Sequence, residues 1–410
     1  MIERDITSQL MEAVSTHPVV TVFGPRQSGK TTLVRHALPH YNYVNLENPR
    51  ERRLAEEDPE AFLSVHPTPL IVDEVQRVPE LLSWIQVRVD ESGRMGEFVL
   101  TGSHQPLLRE KVSQSLAGRT ALITLLTFSL SELEAAGFSP TRDEALYQGF
   151  LPRIYSDGLD PTTANEEYYR TYVERDVRQL VQVENQTAFE TFVRLLAGRI
   201  GQVVNFQSLS DDIGVDAKTL KRWMSVLEAS YVIVRLQPYY RNLGKRLVKS
   251  PKIYFADVGL AAYLLGITNA AQVARDPLFG GLFENMVFMD LLKTKLNFRL
   301  RQDFYYIRDN SGIEVDLVVE QNRKLHLLEV KGAMTPDGSF ARNMEKIRAV
   351  ADEVVSCNVI YSGTDWPLKG GGRFVNYAKA SRLLRDISSS AQAHGKAVCR
   401  TEKERGREFK

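Results

Sequence analysis

Residues 19–32 read VVTVFGPRQSGKTT. A run of β-branched residues leads into the pattern Gly-x4-Gly-Lys-Thr, and a helical segment follows it, which is the setting in which this pattern forms a phosphate-binding loop. Glycines at 24 and 29 permit backbone angles at which successive N–H groups and the start of the helix point at an anion. A chance match is the alternative, but the position between a strand and a helix favours the phosphate loop.

The loop pattern gives each of its residues a predicted role. Lys30 is expected to reach the β- and γ-phosphates of ATP, and Thr31 to place its hydroxyl on Mg²⁺. Both ATP and Mg²⁺ are therefore expected cofactors. The predicted nucleotide-binding residues of the loop are Gly24, Pro25, Arg26, Gln27, Ser28, Gly29, Lys30, Thr31 and Thr32.

Length and composition narrow the class of protein. A chain of 410 residues is too long for one ordinary core, which predicts two to four domains. Its 52 basic and 51 acidic residues nearly balance, so any nucleic-acid surface must be local. Cys357 and Cys399 show no pairing or metal-binding pattern, and no run of about 18 apolar residues or signal-like N-terminus occurs. We therefore expect a cytoplasmic protein with no membrane partner.

Two acids end a predicted buried strand at residues 70–74. Asp73 is expected to hold Mg²⁺ through water, and Glu74 to polarise the attacking water, as phosphoryl transfer requires. Most apolar runs that end in Asp-Glu are plain strand ends. Here the pair lies downstream of a phosphate loop, which favours the catalytic interpretation.

Two further residues are candidates for the same site. Ser103 ends a predicted strand and is expected to sense the γ-phosphate, although a helix cap at a strand-to-loop turn is an equal alternative. Arg119 is a candidate for neutralising charge in the transition state, from this chain or across a contact in a homo-oligomer. A solvated surface arginine is the alternative for Arg119.

Residues 206–255 predict a winged helix. Helices are expected at 206–213 and 216–229 around the turn Gly214-Val215, followed by strands at 231–236 and 252–255. The second helix and the segment between the strands are rich in basic residues, which favours contact with DNA phosphates over a purely structural unit. The predicted DNA-contact residues are Lys218, Lys221, Arg222, Arg241, Lys245, Arg246 and Lys249.

The C-terminal third carries a second set of acids. An apolar helix begins near Gly281, and two strands follow at 314–319 and 325–331. Period-two alternation places Glu329 and Lys331 on one face of their strand. Acids of this kind bind a divalent metal and orient water in Asp-…-Glu-x-Lys nucleases. The predicted metal set is Glu284, Asp316 and Glu329, with Lys331 beside them.

These motifs resemble those of a prokaryotic AAA-type (P-loop) ATPase family of largely unassigned role that has a C-terminal restriction-endonuclease-like domain. The matching motifs are GPRQSGKTT at 24–32, IVDEVQ at 71–76, LTGS at 100–103, LAGR at 116–119, FEN at 283–285, EVD at 314–316 and EVK at 329–331. The resemblance covers most of residues 15–365. It implies a nuclease fold in the C-terminal third, whereas cutting does not follow, because such a domain can retain its acids for binding alone.

The predicted fold class is α/β, with a P-loop NTPase parallel sheet, a helical lid, a winged helix and a C-terminal α/β restriction-endonuclease-like domain. The predicted boundaries are 1–130 for the ATPase core, 131–190 for the lid, 191–255 for the winged helix, 256–385 for the endonuclease-like domain and 386–410 for a disordered tail. We expect an ATPase whose nucleotide state is coupled to DNA. One alternative is a nucleotide-dependent regulatory switch for a protein partner, and another is an ATP-gated, metal-dependent DNA nuclease.

Overall fold

The computed structural model describes residues 1–103, 111–112, 114–177, 185–240, 250–310 and 312–389. These residues form an N-terminal α/β domain, a helical middle and a C-terminal mixed sheet. Within the described ranges, no helix combines the length and the apolar character needed to cross a membrane.

The N-terminal domain is built on a five-stranded sheet in the order β2-β3-β4-β1-β5. Its strands are β1 Val19–Gly24, β2 Asn42–Asn45, β3 Leu70–Asp73, β4 Phe98–Ser103 and β5 Thr120–Thr124. Every pair of neighbours is parallel. The segments that follow β1, β3 and β4 therefore meet at one edge of the sheet, where open α/β folds bind their ligands. This confirms the predicted parallel α/β core.

Helices cover both faces of this sheet. They are α1 Thr7–Thr16, α2 Lys30–Ala37, α3 Pro49–Glu57, α4 Pro59–Val65 and α5 Leu81–Ser92. Alternate residues of each strand enter different cores: Val72 and Leu100 pack with α5, whereas Ile71 and Val99 pack with α1 and α2. Burial on both sides explains why the inner strands β1, β3 and β4 are mostly apolar, whereas the outer strands β2 and β5 are only partly buried.

The middle of the chain is helical. Its elements are α6 Leu130–Ala135, α7 Arg142–Gln148, α8 Pro152–Ser156, α9 Pro161–Tyr168, a π-helix Tyr169–Val177, α10 Gln186–Ala197, α11 Phe206–Ile213 and α12 Ala217–Ala229. Gly214 takes a φ of +75° between α11 and α12, and the Asp216 side chain caps α12. Two antiparallel strands, β6 Ile233–Leu236 and β7 Lys252–Phe255, follow. The predicted helix–turn–helix and strand pair are thus present.

The C-terminal part contains a six-stranded mixed sheet in the order β12-β13-β11-β10-β9-β8. Its elements are α13 Val258–Leu264, α14 Ala270–Val273, α15 Phe279–Asn297, β8 Asp303–Arg308, β9 Glu314–Gln321, β10 Lys324–Lys331, α16 Arg342–Arg348, β11 Val354–Tyr361, β12 Trp366–Pro367 and β13 Arg373–Asn376. Strands β8, β9 and β10 are antiparallel neighbours, whereas β10, β11 and β13 run parallel.

One apolar core extends through the middle and the C-terminal part. It joins Phe189 of α10, Trp223 of α12, Phe283 of α15 and Leu328 of β10. The boundaries predicted at residues 190 and 255 therefore do not separate independent cores. A helical segment at 380–389 runs past the boundary predicted at 385, and residues 390–410 lie outside the described part of the chain.

Candidate functional site

The start of the phosphate loop packs tightly against the residue that follows β5, the outer neighbour of β1 in the sheet. A Cβ atom added to Gly24 would lie 2.0 Å from the carbonyl oxygen of Leu125, so only glycine fits at this position. Gly29 has a φ of +89° and immediately precedes α2. The first N–H groups of α2 therefore face the loop, where a helix favours bound anions.

Lys30 is the charged group inside this loop. Its side chain is buried, and its Nζ donates to the carbonyl oxygens of Gly24, at 3.1 Å, and Pro25, at 2.7 Å. Burial lowers the pKa of Lys30 to about 8, and the charges of Glu74 and Asp73 oppose this effect. The Ser28 hydroxyl is also buried and finds no hydrogen-bond partner among the described residues. An ammonium and an unsatisfied hydroxyl in a glycine-lined loop fit an anionic ligand.

Asp73 is the acid at the tip of β3, and three hydroxyl groups donate to it. Thr31 Oγ1 lies 2.9 Å from Asp73 Oδ2, and the Tyr43 hydroxyl lies 2.8 Å from the same oxygen. Thr101 Oγ1 bonds the other carboxylate oxygen. The predicted pair Thr31 and Asp73 is therefore brought together, and a carboxylate with hydroxyl oxygens is the donor set that Mg²⁺ prefers.

Tyr43 and Thr101 were not predicted from the sequence. They lie on β2 and β4, the two strands that flank β3. The motif at residues 100–103 includes Thr101, but only the strand order shows that its hydroxyl reaches Asp73. Tyr43 carries no motif signal, since it looks like any aromatic residue in a short strand.

Glu74 and Ser103 belong to one hydrogen-bond network. Glu74 has a φ of +59°, an uncommon backbone conformation for a residue with a side chain, and its N–H donates to Thr101 Oγ1 at 3.3 Å. Gln76 Nε2 donates both to Glu74 Oε2 and to Ser103 Oγ, the latter at 2.9 Å. Gln76 thus joins the predicted water-activating acid to the predicted phosphate sensor. No role was predicted for Gln76, although the motif at 71–76 contains it.

Arg119 lies at the edge of the sheet opposite to the phosphate loop of its own chain. In the parallel register Val19 pairs with Thr120, so Arg119 adjoins the beginning of β1, whereas the phosphate loop follows its end. Five strand steps separate the two edges, or roughly 16 Å. The Arg119 guanidinium instead makes two hydrogen bonds to Asp90 of α5. The prediction that Arg119 acts within its own chain is wrong, because the strand register places it elsewhere.

A buried arginine ties the phosphate loop to the segment after β5. Arg4 donates at 2.8 Å to the carbonyl oxygens of Ser28 and Leu126, and its Nε lies 2.9 Å from Glu132 Oε1. This segment is held from the other side by α15, because Lys293 Nζ donates to the Phe128 carbonyl oxygen at 2.7 Å. The nucleotide domain and the C-terminal part are thus joined by buried polar contacts.

The acids of the C-terminal third converge on two lysines. Lys331 Nζ lies 2.7 Å from Glu329 Oε1 and 3.4 Å from Asp316 Oδ2. The second lysine, Lys252 of β7, lies 3.0 Å from Glu284 Oε1 and 3.6 Å from Asp316 Oδ1. From the sequence, Lys252 was predicted only as the start of a strand.

This arrangement does not assemble the predicted metal set. Across the described ranges, no group of three or more His, Cys, Asp or Glu side chains is placed to hold a metal ion. Lys252, which is 1% exposed, pairs with Glu284 and Asp316, whereas Glu329 pairs with Lys331. Although burial lowers the pKa of Lys252, nearby Tyr254, Glu284, Asp316 and Glu314 outweigh that effect and keep it charged. The prediction that Glu284, Asp316 and Glu329 coordinate one metal therefore needs correction.

Three of the predicted DNA-contact residues are exposed on α12. Lys218, Lys221 and Arg222 face away from the side of the helix that buries Leu220 and Trp223. Their spacing of three and four residues places them on one side of the helix. The other four predicted residues, Arg241, Lys245, Arg246 and Lys249, lie outside the described residues.

Comparison with protein families divides the chain into three matched ranges. Residues 16–134 match an AAA domain. Residues 140–271 match a domain of unknown function (DUF8612), and residues 279–379 match another (DUF4143). The N-terminal third is therefore an AAA-type P-loop domain, whereas the families of the other two ranges have no assigned function.

Three curated proteins are similar to this chain. Uncharacterized proteins of Mycobacterium tuberculosis (Rv2008c) and Mycobacterium bovis (Mb2031c) are each 32% identical over 368 residues, which is 88% of this chain and 80% of theirs. An uncharacterized protein of Methanocaldococcus jannaschii (MJ1637) is 25% identical over 197 residues, 46% of this chain and 40% of its own length.

Solved structures resemble the chain more distantly. The Walker-type ATPase paby2304 of Pyrococcus abyssi is 15% identical with a TM-score of 0.43, and the match covers 65% of this chain and 96% of that one. AMPPCP-bound DnaA from Aquifex aeolicus is 13% identical with a TM-score of 0.29, covering 55% and 86% respectively. Likeness at these TM-scores does not bear on function.

Proposed function

This chain belongs to the family of the two mycobacterial proteins, and we propose that its AAA domain binds ATP and hydrolyses it. One observation carries the proposal. Thr31, at the start of α2, donates to Asp73, at the tip of β3, at 2.9 Å, and the buried Lys30 precedes Thr31 in the loop. This contact between the phosphate loop and the acid at the tip of β3 supports a shared site for the triphosphate and its cation, as phosphoryl transfer requires.

Each residue of the site has its own proposed role in binding the phosphates or the cation. The Lys30 ammonium leaves the loop carbonyls of Gly24 and Pro25 to bind phosphate oxygens, while the loop N–H groups orient them. Thr31 and Asp73 supply oxygen ligands for the cation. Bound Mg²⁺ would neutralise charge on the phosphates during transfer.

Glu74 is proposed to take the proton of the attacking water. Its carboxylate accepts a hydrogen bond from Gln76, and that amide also reaches Ser103. Gln76 therefore fixes the position of Glu74 relative to Ser103. The Ser103 hydroxyl oxygen accepts a hydrogen bond from the Gln76 amide, so its own O–H proton remains available to donate to a phosphate oxygen.

Phosphate release from ATP and binding of a fluorescent ATP analogue test this proposal. Lys30→Ala should lose hydrolysis to background, because it removes the cation of the loop. Lys111→Ala is a matched control, since Lys111 is a lysine of the same domain that pairs with Glu80 on the surface. Unchanged hydrolysis in Lys30→Ala would refute the assignment.

The exposed basic face of α12 favours a second function, contact with DNA phosphates. Lys218, Lys221 and Arg222 project from the second helix of a helix–turn–helix, the element that enters a groove in DNA-binding proteins of this kind. We propose that the two strands after this helix complete a winged helix. We further propose that ATP turnover changes how the chain holds DNA.

Duplex DNA binding at several salt concentrations tests this second function. Replacing Lys218, Lys221 and Arg222 together with Ala should weaken binding and reduce the dependence of log K on log salt by about 0.9 for each phosphate that the variant no longer neutralises. Arg301, Lys324 and Lys346 provide a control triple, since they are exposed and carry the same total charge. Equal binding by both triples would refute a DNA role for α12. Absence of any DNA binding at low salt would favour a switch that acts on a protein partner.

A further inference from the structure

Lys252 contacts two of the acids for which a divalent metal was predicted from the sequence, Glu284 and Asp316. Its Nζ lies 2.7 Å from Glu314 Oε1, 3.0 Å from Glu284 Oε1 and 3.6 Å from Asp316 Oδ1. Glu284 of α15 and Asp316 of β9 belong to the predicted metal set, and Glu314 lies on β9 as well. The lysine comes from a third element, β7. Lys252 differs from a surface lysine, since its side chain is 1% exposed.

We propose that Lys252 is an internal cation that replaces a divalent metal, so that the C-terminal carboxylate centre is a structural clasp for β7 and does not hydrolyse DNA. The inference is independent of the ATPase proposal.

Charge pairing supports this assignment. Lys252 and Lys331 together contact four carboxylates, those of Glu284, Glu314, Asp316 and Glu329. Each carboxylate thus has an ammonium partner from the chain itself, and the two ammonium groups offset two of the four negative charges, which lowers the cost of burying these acids. A divalent cation at the oxygens that Lys252 contacts would meet its ammonium at van der Waals distance, and two cations do not share one buried site without a large cost.

Further contacts beside the carboxylates hold strand β7 against helix α15. The Tyr254 hydroxyl donates to Glu284 Oε1 at 2.6 Å. Asn285 makes a two-way contact with the backbone of Phe255, because its Oδ1 accepts from the N–H at 2.6 Å and its Nδ2 donates to the carbonyl oxygen at 3.0 Å. The motif at residues 283–285 is thus used to dock β7 onto α15. The clasp thus fixes β7 to the C-terminal part.

Manganese binding and DNA cleavage by the full chain without nucleotide test the proposal. Mn²⁺ binding is measured by electron paramagnetic resonance, and cleavage with plasmid DNA in Mg²⁺ or Mn²⁺. Asp316→Asn should match the wild type in both measurements. Lys252→Met, which removes the ammonium but keeps an apolar stem, should lower the melting temperature and gain Mn²⁺ affinity by about tenfold or more. Mn²⁺ should then raise the melting temperature of this variant but not that of the wild type.

Lys295→Met is the matched control, because Lys295 is a partly exposed lysine that pairs with Asp303. It should keep the wild-type melting temperature and Mn²⁺ response. Wild-type Mn²⁺ binding or DNA cleavage that Asp316→Asn abolishes would overturn the proposal. A folded Lys252→Met variant without gain of Mn²⁺ affinity would also overturn it. Failure of Lys252→Met to fold would support the clasp, and the wild-type comparison with Asp316→Asn would then decide whether a metal binds.

Discussion

Lys293 should make the stability of this protein rise with pH in the alkaline range. The side chain is 2% exposed, its Nζ donates to the Phe128 carbonyl oxygen, and it lies 4.3 Å from the centre of the Phe150 ring. Burial lowers the pKa of Lys293 from 10.5 to about 8, although Asp257 and Asp290 oppose the effect. The folded protein therefore loses this proton at a lower pH than the unfolded chain does.

The sign and size of the effect follow from this difference. Between pH 8 and 10.5 the unfolded chain still binds the proton and the folded protein does not, so stability rises with pH. The full difference between the two pKa values corresponds to about 3 kcal/mol in the free energy of unfolding. About 2 kcal/mol of this should be gained between pH 7.5 and 9.5. The neighbouring Asp290, whose pKa burial raises to about 6, titrates below this window.

Urea unfolding at pH 7.5 and 9.5 measures the effect. Trp223 is buried in the core that the middle and C-terminal parts share, so its fluorescence reports loss of that core. Lys293→Met should reduce the gain between pH 7.5 and 9.5 by about 2 kcal/mol relative to wild type, because Lys30, whose pKa burial also lowers to about 8, contributes equally to both proteins. Lys295→Met, two residues along the same helix, should keep the wild-type gain, because Lys295 is partly exposed and pairs with Asp303. Equal pH dependence in wild type and Lys293→Met would refute the reasoning.

Three further substitutions test other parts of the structure. Gly149→Ala should lower the free energy of unfolding by about 2 kcal/mol or more in urea, since its Cβ would lie 2.0 Å from an Asp257 oxygen. Gly158 has a similar positive φ with open space around it, so Gly158→Ala should cost only about 1 kcal/mol. Equal costs for the two substitutions would contradict the steric argument. Tyr43→Phe should raise the Mg²⁺ concentration for half-maximal ATPase activity by about tenfold, because it removes one donor to the predicted metal ligand; an unchanged Mg²⁺ requirement would contradict this. Arg119→Ala should leave turnover within about twofold of wild type, since roughly 16 Å of strand separates it from its own phosphate loop. A loss of turnover that depends on protein concentration would instead indicate a site shared between copies.

Short sequence patterns predicted those parts of the fold whose contacts join residues close together in the chain. The loop at 24–32 and the pair Asp73 and Glu74 were found because their spacing is tied to one strand–loop–helix unit each. The helices at 206–213 and 216–229 were found because Gly214 and Asp216 mark the turn and the cap. In each case the deciding contacts lie within a few residues along the chain.

Contacts between distant segments could not be predicted in this way. Lys252 meets Glu284 and Asp316 across 32 and 64 residues of chain, and a lysine before Ile-Tyr-Phe reads as the polar end of a strand. Arg119 was placed near the pocket because its motif follows the strand motifs in sequence. The sheet order β2-β3-β4-β1-β5 and the register of β5 decide its true place, and neither is visible in the motif.

The direct test of the central claim, that the AAA domain hydrolyses ATP at this pocket, is a comparison of ATP binding and single-turnover hydrolysis in wild type and Glu74→Gln. The substitution keeps the size of the side chain and removes its ability to take a proton. We predict unchanged ATP affinity and a rate of hydrolysis lower by about a hundredfold or more. Hydrolysis at the wild-type rate in Glu74→Gln would contradict the account.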